Sequence, residues 1–251
     1  MNFLLTTRTC SLSPTDLRRR DKQPSAITSE DLKHFRKTYQ GKMITDDDLS
    51  YYIYGILYSE DYRTKYVNNF MKKLPRIPRV ATYKDFMLFS EVGHKLAFLH
   101  LNFGNSKVKK YQDEQIIDSM PWGAMHDDSV RQMGWGTIKR EPGNAAKDKT
   151  ILHYNDRITN KNILLEAQKC VVNTKSAPDR VVERASVKID KDSGIINNFN
   201  DYGNSIGNPR YPLELFFRII TVSLKTMKIV HALLKLVIRP LDQETPKDAE
   251  Q

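Results

Sequence analysis

Asp179 and Glu183 are the acids from which hydrolytic chemistry could most readily be built, because paired carboxylates with a lysine can hold a divalent metal and a water against a phosphodiester. Their setting argues against that use. They stand four residues apart on an expected helix, interleaved with Arg180 and Arg184, where solvated ion pairs form more simply. His94 and His100 are six apart on another expected helix, a rotation of about 600°, so they face different sides and share no metal. His126-Asp127-Asp128 lies in a loop-like stretch and could in principle bind a cation, but two neighbouring acids with one histidine are read as a chance grouping. No Gly-rich phosphate loop ending in Lys-Ser or Lys-Thr occurs. Asn208-Pro209-Arg210-Tyr211 has only the outline of the Asn-Pro-Pro-aromatic tetrad of adenine methyl transfer, with Arg at the second proline. The expectation is a chain without its own catalytic motif, metal site or cofactor.

Binding chemistry is better represented. Lys107, Lys109, Lys110, Lys139, Arg140, Lys147, Lys149 and Lys161 fall in loop-like stretches where long cations reach phosphates, although solvated surface lysine is the alternative for any of them. Asn197, Asn198, Asn200, Asn204 and Arg210 crowd one segment. Asn can bond adenine and Arg guanine in bidentate fashion, and turn chemistry explains the asparagines equally well. Lysine and arginine total 40 against 30 acids, a net charge of +10 spread along the chain, which favours a polyanionic partner such as nucleic acid. Tyr54, Tyr58, Tyr62 and Tyr66 recur at four-residue intervals, spacing that suits a packed helix seam better than a base-stacking platform.

The elements that must position these residues divide by texture. Residues 1–27 show no period and read as a flexible leader. Residues 28–104 read as a helical subdomain of three or four helices. Thr28 with Asp31, Thr45 with Asp48 and Thr82 with Asp85 are capping pairs, and Leu74-Pro75-Arg76-Ile77-Pro78 is a rigid elbow. Residues 105–240 read as a mixed α/β subdomain of short strands, such as Gln115-Ile116-Ile117 and Thr150 to Tyr154. Helical pieces are expected at Ile163 to Val172 and at Pro178 to Ala185, the second capped by Ser176. A loop-rich stretch, Asp190 to Pro212, leads to a long amphipathic helix from Leu213 to Ile238. Residues 241–251 form an acidic tail. The fold class is therefore α+β.

The long helix is apolar enough to be mistaken for a membrane span. Arg218, Thr221, Lys225, Lys228, His231, Lys235 and Arg239 form one polar stripe, and each lysine near a bilayer centre would cost roughly 2.5–3.5 kcal/mol. No membrane partner is expected. Cys10 and Cys170 match no disulfide framework, and Met1 to Leu5 is too short for an export signal. These features point to a reducing, cytoplasmic setting.

Several landmarks resemble the C-terminal specificity region of type ISP restriction-modification enzymes, single-chain ATP-driven systems that defend bacteria against phage. They begin near Ile44-Thr45, pass through Tyr51 to Tyr54, Leu57 to Tyr62 and the Leu74 to Pro78 elbow, and reach Leu99-His100-Leu101-Asn102. They resume at Lys149 to Ile151, Tyr154 to Asp156, Val172-Asn173, Lys175 to Ala177, Asp190 to Ile195 and Asn208 to Leu215. Residues 1–27 carry no part of the likeness. In such enzymes a helicase-like motor, a nuclease and an adenine methyltransferase precede this region. What the resemblance implies is a DNA target-recognition module separated from its engine, as a subunit or as part of a broken gene, with double-stranded DNA and a methyltransferase or helicase on another chain as partners. The rival reading is a helical scaffold for such partners with no DNA binding of its own.

Overall fold

The computed structural model describes residues 27–70, 75–103, 128–139, 145–172 and 174–239. By its contacts the chain divides into two compact units, residues 1–50 and 51–251. The leader before Ile27, Gln115 to Ile117, His126, Asp127 and the tail lie outside the described residues.

The first unit contains α1 (Ser29–Thr38) and the start of α2 (Asp46–Tyr58). Both begin where the sequence places a cap. The Thr28 hydroxyl accepts from the Asp31 amide at 3.1 Å, and at the second cap the Thr45 amide and hydroxyl both donate to Asp48 Oδ2. Between them the chain turns through Gln40 and Gly41 at positive φ, and the Arg36 guanidinium donates to the Ile44 carbonyl at 2.6 Å.

In the second unit, α2 continues to Tyr58, followed by α3 (Glu60–Phe70) and α4 (Tyr83–Leu101). The tyrosine seam is shared between two helices broken at Ser59, with a kink at Tyr66. Packing rather than stacking of bases employs these rings. Tyr52 and Tyr62 are buried, and their hydroxyls donate to the carbonyls of Pro78 and Arg76 at 2.6 and 2.7 Å. The proline elbow is thus held by phenols from the preceding helices. Tyr54 Oη lies 2.8 Å from His100 Nδ1, and the Arg63 guanidinium covers the Tyr58 ring. Where α2 and α4 cross, Gly55 and Gly93 let the two backbones meet directly.

The mixed part is built from short antiparallel pieces. Strands β1 (Gly134–Lys139), β2 (Ala145–His153) and β3 (Thr159–Asn160) form one sheet in that order. A 3-10 turn (Leu165–Lys169) precedes the small pair β4 (Val171–Val172) and β5 (Lys175–Ser176), then α5 (Ala177–Arg184), the hairpin β6 (Val187–Ile189) and β7 (Ile196–Asn198), a short α6 (Asp201–Ser205) and α7 (Tyr211–His231). The order expected from sequence, helices first and a mixed α/β part closed by a long helix, is what the structure has. Trp135, Leu152, Tyr154 and Val182 pack with Leu213, Phe216 and Ile220 of α7 in the main core, while Leu99 of α4 packs with Val222 farther along. One helix therefore ties the two halves of this unit together.

Two expectations are corrected. The helix expected at Ile163 to Val172 is a five-residue 3-10 turn without a side-chain cap, because only Ala167 within it is buried and the chain then bends into the β4–β5 pair. The loop-rich stretch Asp190 to Pro212 also contains β7 and α6. The long helix stops at His231 rather than Ile238. Residues 237–239 instead pair with 79–81: the Ala81 amide donates to the Val237 carbonyl, the Arg239 amide to the Arg79 carbonyl, and Val80 bridges Ile238. The polar stripe also changes character along its length. Arg218 and Thr221 are buried, the first paired with Glu214 at 2.9 Å and the second donating to the Phe217 carbonyl, whereas Lys225, Lys228 and His231 are exposed. Among the described residues no helix is long and apolar enough to cross a membrane.

Candidate nucleic-acid interface

The β6–β7 hairpin is where the predicted asparagines meet a surface a ligand can reach. Val187-Lys188-Ile189 and Ile195 to Asn198 flank the turn Asp190 to Gly194, short β-prone runs joined by turn residues as in a hairpin. Asp190 organises the turn: its Oδ1 accepts from the Ser193 amide at 2.9 Å, the Ser193 hydroxyl at 2.8 Å and the Asp192 amide at 3.2 Å. Those bonds hold its carboxyl below the usual range, the Ser193 amide first among them. Gly194 supplies the positive φ of 70° the turn needs.

The pairing Val187↔Asn198, Lys188↔Asn197, Ile189↔Ile196 fixes the faces, since directly opposed residues share one. Val187, Ile189, Ile196 and Asn198 lie on one face, Lys188 and Asn197 on the other. Beside the ribbon is a groove of about 530 Å³ lined by Glu183, Arg184, Lys188, Asn197, Asn198 and Asp201, among others.

The base of the ribbon is clamped by Asn200. Its Oδ1 accepts from the Val130 amide at 2.9 Å and its Nδ2 donates to the Val130 carbonyl and to Asn198 Oδ1, both at 2.8 Å. Bridges Gln132↔Ser186 and Val187 amide to Arg131 carbonyl complete the anchor. At 5% exposure, Asn200 orients the ribbon from below. Asn200→Ala would leave both buried Val130 groups without their partner, each worth roughly 1–3 kcal/mol. The expected loss is about 2 kcal/mol in urea unfolding, against less than about 0.5 kcal/mol for the exposed Asn197→Ala. Equal stabilities for the two variants would dismiss the clamp.

The other predicted residues are distributed. Asn204 is exposed on α6, and Arg210 precedes α7 with its amide donating to Asn208 Oδ1 at 3.1 Å. Lys147 is exposed on β2, opposite exposed Thr137, and Lys161 is exposed just after β3. Lys149 is engaged: its Nζ lies 2.6 Å from Asp179 Oδ2. It is aimed there by a bulge in β2, where the register jumps from Trp135↔Leu152 to Gly136↔Asp148. Lys107, Lys109, Lys110 and Arg140 lie outside the described residues, as does the side chain of Lys139.

The acids weighed as nuclease ligands are tied to partners beyond the adjacent arginines. Asp179 accepts from the Trp135 indole at 2.9 Å and from Lys149. Burial pushes its carboxyl up, but the bonds from Lys149, Ser176 and Trp135 bring it down overall. Glu183 pairs with Lys175 at 2.7 Å, which lowers its carboxyl first through that hydrogen bond. No group of three or more His, Cys, Asp and Glu side chains among the described residues is arranged to hold a metal. Residues that sequence reasoning passed over are Arg184, Lys188, Ile189 and Ile196. The turn-forming run Asp190 to Gly194 between two β-branched pieces was the signal available for the last three.

Comparison with known proteins gives the family. A family model described as the Type ISP C-terminal specificity domain matches residues 6–215. The match starts well before Ile44, so the onset read from sequence was too late, while its end coincides with the last landmark, Leu215. No curated protein matches. Among solved structures, a nuclease-deletion mutant of the Type ISP enzyme LlaGI in complex with a DNA substrate mimic is 32% identical over 78% of this chain and 17% of its own, with a TM-score of 0.58. The ATP-dependent Type ISP enzyme LlaBIII bound to DNA is 27% identical over 86% of this chain and 12% of its own, with a TM-score of 0.63. A DrdV–DNA complex shares the fold at 21% identity, a TM-score of 0.57 and coverage of 84% and 20%. The chain spans a fifth or less of each of these larger chains.

Proposed function

The chain belongs to the Type ISP C-terminal specificity domain family, and on that premise we propose that it is a module that binds double-stranded DNA, reads a short target sequence and carries out no chemistry itself. The observation that carries this reading is the likeness to LlaGI and LlaBIII, both solved with DNA or a DNA mimic. In this reading Lys147 and Lys161 set register on phosphates, with Lys107, Lys109, Lys110, Lys139 and Arg140 as further candidates, while Lys149 acts through its bond to Asp179. Asn197, Asn204 and Arg210 are the base-edge candidates, and Asn198 and Asn200 hold the ribbon that presents them. The motor, nuclease and methyltransferase lie elsewhere in the system, which works in the cytoplasm. A helical scaffold that merely joins such parts is the other reading.

Fluorescence anisotropy of the purified chain with random duplex DNA at two salt concentrations separates the two. Contacts to phosphates release counterions, so log affinity falls with log salt by about 0.9 for each phosphate neutralised. Dissociation constants in the range of about 10⁻⁶–10⁻⁴ M that weaken steeply with salt are expected. Lys147→Ala and Lys161→Ala should each lower the salt slope by about one. Absence of binding even at low salt would overturn the recognition reading and favour the scaffold.

A further inference from the structure

The hairpin exposes more apolar surface than a free two-stranded ribbon has reason to carry. Ile189 is 65% exposed, Ile196 60% and Val187 41%, and all three lie on one face by the observed register. They are β-branched residues of a pair with no third strand among the described residues, so nothing described covers that face. The surroundings are not those of an apolar docking site. Exposed Arg184 precedes the ribbon and exposed Lys191 sits in its turn, while exposed Lys188 and Asn197 occupy its other face. Of the nearby acids, all exposed, Glu183 is paired with Lys175 and Asp190 is engaged in its own turn, beside Asp192 and Asp201. An aliphatic face between cations fits a partner that is anionic outside and locally apolar within.

Resting on the proposed DNA-binding function, we propose that the β6–β7 ribbon enters the major groove and that Ile189 and Ile196 read the C5 methyl groups of thymines. A groove about 12 Å wide admits a two-stranded ribbon, and the thymine methyl is the apolar group displayed there. Strands about 4.8 Å apart leave room for side chains on both faces. Lys188 and Asn197, on the opposite face, then point away from the base edges, where only the long Lys188 side chain reaches toward the phosphates flanking the groove, while the apolar face rests on the methyls. The Asn200 clamp supplies the rigidity that discrimination of single methyl groups requires. The ribbon therefore contributes a preference for A·T pairs at particular positions of the target.

The test uses the full chain and a duplex selected from a random library, in which thymines are replaced by deoxyuridine one at a time. Loss of a contacted methyl should weaken wild-type binding about fourfold, the effect of about 0.8 kcal/mol for one buried methyl-sized group. Ile189→Ser and Ile196→Ser should bind the thymine duplex more weakly and no longer distinguish it from its uracil counterpart. Both positions are exposed, so unchanged thermal unfolding is expected and verifies that the variants are folded. Tight wild-type binding indifferent to every thymine-to-uracil change overturns this inference and leaves the DNA-binding function standing, as does unaltered discrimination in both variants, which would point to a protein partner for the face. Failure to select any bound duplex overturns both.

Discussion

Gly93→Ala is expected to destabilise the chain by about 3 kcal/mol or more, the upper end of what overpacking costs, although the same change in an ordinary helix interior gains about 1 kcal/mol. The reversal of sign comes from the crossing of α2 and α4. A Cβ at Gly93 would overlap the Tyr51 carbonyl and come within 2.9 Å of the Gly55 amide nitrogen, and one at Gly55 would strike the Phe89 carbonyl. Backbone atoms have no rotamers with which to yield, so the helices must move apart. Separation would strain the Tyr52–Phe86 stack, with centroids 4.5 Å apart, and the bond between Tyr54 and His100. Urea unfolding followed by circular dichroism measures the loss, and a midpoint equal to or above that of the wild type would mean that the close approach does not constrain the fold.

That crossing also marks a limit of the sequence. Gly55 and Gly93 are helix-interior glycines, a recognised sign of close approach, but which backbone each one meets depends on how the helices pair. The capping threonines were legible because a cap is local: Thr28, Thr45, Thr82 and Ser176 each bind an amide three residues ahead. The end of α7 was not, because hydropathy continues smoothly through Leu236 while the backbone leaves the helix to bond Asp61, Arg79 and Ala81, residues far away in the chain.

The same distinction sorts the candidate site. Crowding of asparagines between 197 and 204 pointed to one surface, where Asn197 and Asn198 line a groove. Turn chemistry and base recognition ask for the same side chain, however, and only the fold separates them. Asn200 spends its amide on Val130, whereas Asn197 presents its own to solvent. Asp179 was set aside as a metal ligand on spacing, and in the fold its oxygens serve Trp135 and Lys149. Ile189 and Ile196 escaped notice because exposed isoleucines look like core until the sheet is found to end there.

Acidification from about pH 6.5 toward pH 4 is expected to remove up to about 3 kcal/mol of stability through His100 alone. Its ring is held between helices, Nδ1 at 2.8 Å from the Tyr54 hydroxyl and Nε2 at 2.7 Å from the Thr226 hydroxyl, with the Tyr58 ring alongside. A neutral imidazole satisfies both hydroxyls as one donor and one acceptor. Burial pushes its pKa down to about 4, from an ordinary value of 6.5. The unfolded chain therefore takes up the proton first as pH falls, and the folded state loses ground across that window, with full stability above it. Asp179, Glu183 and Asp190 have carboxyls held below the usual range, so their contributions fade at the acid end and below. Urea unfolding at pH 7 and pH 5 on wild type and His100→Gln separates these effects. The variant should be less stable at pH 7 yet lose little more between the two values, whereas the wild type falls by most of the stated amount. Parallel losses in both would assign the acid sensitivity to other groups and leave His100 a packing residue only.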